Sequence, residues 1–260
     1  KEPMVTEPLP EMPFEDVSAD FFTYAGKDFL VYVDRLTGWP VIYKFTKGNT
    51  TSKSLIIACR QCFVDLGVPK RLRCDGGPQF SSYEFKQFLE KWGVTLSQST
   101  PYHHQSNGHA EASVKAMKQL LKKTTDNGNC DGEEFQRGLL EWRNTPREGG
   151  LSPAQLLYGR PLRSFLPAHQ RSFDQKWQKM RTTYDMIRTK SKEKATERYD
   201  KTAKCLPELC EGDKVILQNP ITKKWNKEGK IIEKGRFRDY MIKTSSGRIY
   251  WRNRRFVKAV

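Results

Sequence analysis

Three strand-like runs crowd into the first 45 residues, and strands alternate with helices after them. No other feature restricts the fold as much. FEDVSADFF (14–22) has apolar residues at alternating and adjacent positions, as a buried strand does. FLVYVDRL (29–36) is richer still in β-branched and aromatic residues. Thr37-Gly38 makes a turn, and WPVIYKF (39–45) completes a meander that proximity makes antiparallel. After Gly48-Asn49 the spacing predicts a helix over 51–66, capped by Thr50 or Thr51 and stopped at Gly67. RLRC (71–74) is a short strand. SSYEFKQFLEKWG (81–93) is a helix with a Ser cap and a Gly stop, and VTLSQST (94–100) is another strand. Helices follow over 108–123 and 133–145. The order βββαβαβα predicts an α/β fold, a mixed sheet with helices on its faces.

Beyond residue 161 the character changes. RPLRSFLPAHQRS is a Pro- and Arg-rich connector, and 174–204 reads as a strongly charged helix whose apolar residues imply that it lies against something. From Asp213 short strands alternate with turns, punctuated by Gly212, Gly229, Gly235 and Gly247, which predicts a small β-barrel. The expected organisation is an extended linker at 1–14, a core at 15–160, a basic helical connector at 161–211 and the barrel at 212–260.

Charge divides unevenly. The net charge is +16, and residues 174–260 hold 24 Lys+Arg against 11 Asp+Glu, a net of +13. That concentration points to a polyanion partner for the C-terminal third, against the plainer reading of a solvated basic helix. Cys59 and Cys62 form a CxxC, but no second pair of soft ligands follows at zinc spacing. Buried reduced thiols are the expectation. No run approaches a membrane-spanning length, and KEPMVTEPLPEMPFED lacks a signal peptide's apolar middle. With no initiator Met, the chain is expected to be a piece of a longer polyprotein or an excised fragment.

Three acids stand out by position. Asp20 lies in the first strand, Asp75 ends RLRC ahead of a Gly-Gly-Pro turn, and Glu111 opens the long helix. Strand ends and helix starts converge on one crevice in an α/β sheet, and hard divalent ions want oxygen ligands. Taken alone the trio is weak: Asp75 also suits a turn, and Glu111 suits a helix dipole.

The context is more specific. Thirty-five residues separate Asp75 from Glu111, flanked by CDGGPQFSSYEF and STPYHHQSNGHAE. These segments resemble the integrase core of retroviruses and long-terminal-repeat retrotransposons, above all the Ty3/gypsy class, with its D,D-35-E signature. ADFFTYAGKDFLVYVDRLTGWP resembles the family's first two strands, and EWRNTPREGGLSPAQLLYGRPLR the segment closing its core. GDKVILQNPITKKWNKEGKIIEKGRFRDYMIKTSSGRIYWRNRRFVK resembles the tail barrel of gypsy-type integrases. Gly76, His104 and Ala112 depart from the family's usual Asn, Pro and Arg, and none of these changes removes a carboxylate.

The resemblance implies an RNase H-like mixed five-stranded sheet flanked by helices, then the basic helical linker and an SH3-like barrel. It implies Asp20, Asp75 and Glu111 as ligands of two Mg2+ ions, which Mn2+ can replace, and places the family's zinc domain upstream of Lys1. It implies trimming of the 3′ ends of retroelement DNA and their joining to target DNA. Action as a homo-oligomer in the nucleus, after assembly in a cytoplasmic particle, belongs to the same expectation. So does a chromatin partner, and no membrane is involved. Asp34, in VDRLTGW, is expected to shape a turn and to hold no metal.

The expected DNA contacts begin with the loop before the long helix, at Tyr102, Gln105 and Asn107. Lys115, Lys118 and Lys122 share a helix face with Glu111 and would hold phosphates, against the reading of a solvated face. In the barrel, basic residues interleaved with aromatics suit non-specific DNA binding: Lys224, Arg236, Arg238, Arg252, Arg254 and Arg255. His103, His104 and His109 are expected at the surface. Two rivals stand beside the integrase: a decayed or host-retained copy acting as a nucleic-acid-binding or assembly factor, and an RNase H-superfamily nuclease.

Overall fold

The structure is a computed structural model that describes residues 10–46, 48–98, 108–125, 127–147, 149–167, 173, 178–201, 203, 206–235 and 238–260; the side chains of 108–111 and 178–183 lie outside this description. The chain forms two compact units. One is built from residues 8–98 and 107–191, and the other centres on 192–260.

In the first unit the meander is β1 (Asp16–Tyr24), β2 (Lys27–Asp34) and β3 (Pro40–Lys44). β1 and β2 are joined by Ala25-Gly26, and both residues have positive φ, 49° and 69°. That is the conformation a two-residue hairpin needs to match the strands' twist. Then follow α1 (Ser52–Leu66), β4 (Arg71–Cys74), α2 (Pro78–Ser81), α3 (Tyr83–Lys91), β5 (Thr95–Gln98), α4 (Gly108–Thr124), α5 (Glu133–Asn144), α6 (Pro153–Tyr158) and, up to residue 191, α7 (Gln178–Asp200). Among the described residues the sheet has five strands in the order β3-β2-β1-β4-β5. The meander is antiparallel, while β4 and β5 run parallel to β1. This is the mixed, helix-flanked, RNase H-like sheet expected from the sequence.

Both sheet faces are buried. Leu30, Tyr32, Leu72 and Cys74 pack on one side with Leu55, Cys59, Phe63, Phe85 and Leu89 of α1 and α3. Phe22, Phe29, Val31 and Val33 pack on the other with Met117 and Leu121 of α4 and Phe135 and Leu139 of α5. The alternation along β2 therefore fills two cores instead of one core and a wet face. Thr51 caps α1 in a reciprocal box with Ser54, and Gly67 ends it. Cys59 and Cys62 are buried free thiols, as expected. Burial pushes both thiols up, Cys62 to about 12, which keeps them protonated and inert.

Asp34 performs the turn role expected of it. It is fully buried and accepts hydrogen bonds from the backbone N–H of Phe14 (2.9 Å) and of Thr37 (2.8 Å), and from Thr37 Oγ1 (2.6 Å). The charged helix also lies against something. Tyr184 of α7 is buried with Leu151 and Leu156, and Arg188 donates to the carbonyls of Arg35 (2.7 Å) and Leu36.

The second unit holds β6 (Lys214–Gln218), β7 (Trp225–Lys234), β8 (Asp239–Thr244), β9 (Ile249–Asn253) and β10 (Val257–Ala259). They form an antiparallel sheet in the order β10-β6-β7-β8-β9 around Val215, Leu217, Ile231, Tyr240, Ile242 and Val257, consistent with an SH3-like barrel. Gly229 corrects the sequence reading. It sits inside β7, paired with Val215 and Thr244, and does not mark a turn. A side chain there would stand 2.7 Å from Ile242 Cγ2 and 2.9 Å from the carbonyl oxygen of Lys243, so the residue is glycine because the neighbouring strand approaches closely.

Candidate active site and nucleic-acid interface

Asp20 lies on the central strand of the first sheet, and Asp75 follows the last residue of its parallel neighbour β4. The β1–β4 ladder runs Asp16↔Arg71, Val17↔Leu72 and Ser18↔Arg73 and goes no further. Both acids stand just beyond its last rung. Phe22 points into the α4–α5 core and Cys74 into the opposite one, so alternation puts Asp20 and Asp75 together on the α4 face. Burial first, then the carboxylates of Asp75 and Asp20, push the Cys74 thiol upward. Each carboxylate is oriented locally. Asp20 Oδ1 accepts from the N–H of Phe21 (2.9 Å), and Asp75 Oδ1 accepts from that of Gly77 (3.0 Å). Gly77 is the residue before α2, so the Gly-Gly-Pro turn that the sequence showed also fixes the Asp75 side chain.

α4 starts on this face and packs on β1 and β2 through Met117 and Leu121. Glu111 is in its first turn, and its side chain lies outside the described residues. Two carboxylates on adjacent parallel strands fit part of the oxygen donor set of a hard divalent cation. Among the described residues no three His, Cys, Asp or Glu side chains gather around one point.

Lys115, Lys118 and Lys122 are exposed along α4, opposite buried Ser113, Met117 and Leu121. Tyr102, Gln105, Asn107, Arg236 and the histidines His103 and His104 fall outside the described residues, as does the side chain of His109.

In the barrel, Lys224 is exposed beside Trp225 in the β6–β7 turn. Arg255 is exposed with its guanidinium 5.2 Å from the Phe256 ring centroid. Arg238 is half-buried, with a left-handed φ of 57° just ahead of β8. Arg254 corrects the expectation of a DNA-contacting cation: it is buried, and its guanidinium donates to the carbonyls of Val257 and Pro207. The turn Arg254–Phe256 rotates it inward, where it braces the barrel. Arg252, expected among the DNA contacts, has two neighbours that the sequence did not single out, Lys227 and Tyr250. Lys227 Nζ donates to Tyr250 Oη (3.0 Å) and lies 4.8 Å from the ring centroid, and Arg252 lies 5.2 Å from the same ring. Hydrogen bonds from Lys227 and then Arg248 hold the Tyr250 phenol below its usual range. Lys227 lies on β7 and Tyr250 and Arg252 on β9, strands that β8 separates in the sheet order, and spacing along the chain carries no sign of their contact.

No helix among the described residues is long and apolar enough to cross a membrane.

Residues 10–104 match the family model of the integrase core domain. The uncharacterized protein K02A2.6 of Caenorhabditis elegans is 29% identical over 165 residues, which cover 62% of this chain and 13% of that protein. The Pol polyprotein of Feline endogenous virus ECE1 is 31% identical over 166 residues, covering 61% of this chain and 16% of the polyprotein. The chain thus spans less than a fifth of the length of these curated relatives. A cryo-EM structure of the simian T-cell lymphotropic virus intasome in complex with PP2A regulatory subunit B56 gamma shares the fold. Its TM-score is 0.63 at 17% identity, over 100% of this chain and 82% of that one. The core match, the polyprotein relatives and the shared fold all make this chain similar to retroviral and retrotransposon integrases.

Proposed function

We propose that the chain is a Ty3/gypsy-type integrase that trims the 3′ ends of retroelement DNA and joins them to target DNA. One observation carries the reading: Asp20 and Asp75 stand side by side past the end of the β1–β4 ladder, on the face where α4 begins. In this reading Asp20, Asp75 and Glu111 hold Mg2+, or Mn2+ in its place. A metal held by these residues would supply activation of the attacking oxygen and stabilisation of the leaving one.

The protein's own share is positioning. Both steps are in-line displacements at phosphorus: one P–O bond forms from water or a 3′ hydroxyl, and one breaks to release the other strand. No covalent enzyme intermediate is needed. Asp20 sits on the rigid central strand and Asp75 is fixed by the Gly77 N–H, so the donor oxygens are ordered before DNA arrives. Lys115, Lys118 and Lys122 face solvent along α4 and would hold DNA phosphates. The barrel's exposed cations and aromatics would add sequence-independent affinity. A homo-oligomer working in the nucleus, with a chromatin partner for target choice, completes the proposal. The test is strand transfer of a labelled, pre-trimmed terminal duplex into plasmid with Mg2+ or Mn2+. Joined products that vanish with Glu111→Gln support it; fragments released without joining favour a nuclease, and DNA binding with neither reaction favours a binding protein.

A further inference from the structure

Asp16 and Arg73 form a bidentate ion pair between β1 and β4. Arg73 Nε lies 3.0 and 3.1 Å from the two carboxylate oxygens, and Nη2 lies 2.7 Å from Oδ2. Both residues are only 7% exposed. Two further guanidiniums border the same carboxylate: Arg35 Nε at 3.7 Å and Arg71 Nη1 at 3.9 Å. Arg35 also reaches Ser18 Oγ at 3.4 Å.

The place of this pair matters more than its strength. A buried ion pair is often no more stabilising than apolar side chains of the same volume, so stability is a poor reason for one here. Arg73 belongs to the last rung of the β1–β4 ladder, Ser18↔Arg73. Asp20 and Asp75 are the next residues along the same sheet face, each about 7 Å further on. Past that rung no ladder bond between β1 and β4 sets how far the two strands splay. The rigid fork of Arg73 grips Asp16 from the neighbouring strand at this end of the ladder.

We propose that the Asp16–Arg73 pair is the positioning device of the Asp20–Asp75 pair, setting the separation of the two carboxylates across the end of the ladder. It rests on the reading of Asp20 and Asp75 as metal ligands. Asp16 and Arg73 would act through the strands that carry the acids. Residues that orient metal ligands typically change metal affinity by about 10–100-fold when altered.

The test is direct Mn2+ binding to the whole chain, read from the electron paramagnetic resonance of free Mn2+, beside disintegration of a branched DNA and a thermal melt. The variants are Asp16→Asn, Arg73→Lys and Asp20→Asn. Lysine keeps the charge of Arg73 but cannot reproduce its planar fork. Asp16→Asn and Arg73→Lys are expected to melt cooperatively, to bind Mn2+ about tenfold more weakly, and to regain disintegration as Mn2+ is raised. Asp20→Asn is expected to lose both binding and activity at any Mn2+ concentration. Unchanged Mn2+ affinity in Asp16→Asn and Arg73→Lys, with binding lost in Asp20→Asn, overturns the positioning role and leaves the metal-ligand reading intact. Wild-type Mn2+ binding by Asp20→Asn overturns the reading itself. Loss of the folded state in both Asp16→Asn and Arg73→Lys also overturns the proposal, since the pair would then hold the fold and not the site.

Discussion

The carboxylate of Asp34 accepts a hydrogen bond from the backbone N–H of Phe14, twenty residues earlier, at 2.9 Å. One side chain at the end of β2 therefore anchors the entry to β1, the strand that carries Asp20. Asp34→Ala would strand the buried N–H groups of Phe14 and Thr37. The expected loss is about 3 kcal/mol of unfolding free energy, read by chemical denaturation. A loss under about 0.5 kcal/mol would mean that the turn holds without its carboxylate.

Glu15, next to that entry, is a pH reporter. Its hydrogen bond with Lys70, then those from the N–H groups of Glu11 and Met12, lower its carboxyl from 4.5 to about 2. A depressed carboxylate stabilises the fold fully above its unfolded value and stops doing so as pH falls through the folded one. Melting temperature should therefore fall with pH between 4.5 and 2, and Glu15→Gln should flatten part of that slope. Equal slopes in the two proteins would contradict it.

The barrel can be loosened alone. Gly229→Ala places a methyl 2.7 Å from Ile242 Cγ2 and 2.9 Å from the Lys243 carbonyl oxygen, where backbone must shift. The expected cost is about 1–3 kcal/mol. Amide exchange should quicken in β7 and β8 and stay unchanged in β1 and β2.

Much of the first unit was legible because burial imposes periodicity. The meander, the helix over 51–66 and the turn at Asp34 all announced themselves through apolar spacing or turn chemistry. The adjacency of Asp20 and Asp75 was not in their spacing, because a parallel crossover sets it; family resemblance pointed to it and the sheet order explains it. Asp16 and Arg73 read as charges inside strands, and only the register reveals them as partners. Gly229 was read as punctuation because a strand glycine and a turn glycine look alike until the neighbouring strand is known. Arg254 was grouped with surface cations because a sequence does not say which arginine in RNRR faces inward. The short helix α6 (Pro153–Tyr158), with its Ser152–Gln155 capping box, passed unnoticed inside the segment that resembles the one closing the family's core.

Lys115 and Lys118 lie exposed on α4 and carry none of the core. Replacing either by Ala should leave stability within about 0.5 kcal/mol. Each change should lower the slope of log affinity against log salt by about 1 for a DNA duplex, measured by fluorescence anisotropy. An unchanged slope would make this row a solvated helix face.

Everything turns on Asp20 and Asp75 acting as one catalytic pair. The most direct measurement is single-turnover disintegration of a branched DNA by the wild-type chain, Asp20→Asn and Asp75→Asn, with DNA affinity followed in parallel. The account predicts that each asparagine abolishes the reaction while the protein stays folded and DNA binding is retained. Reaction at the wild-type rate in either variant would contradict it.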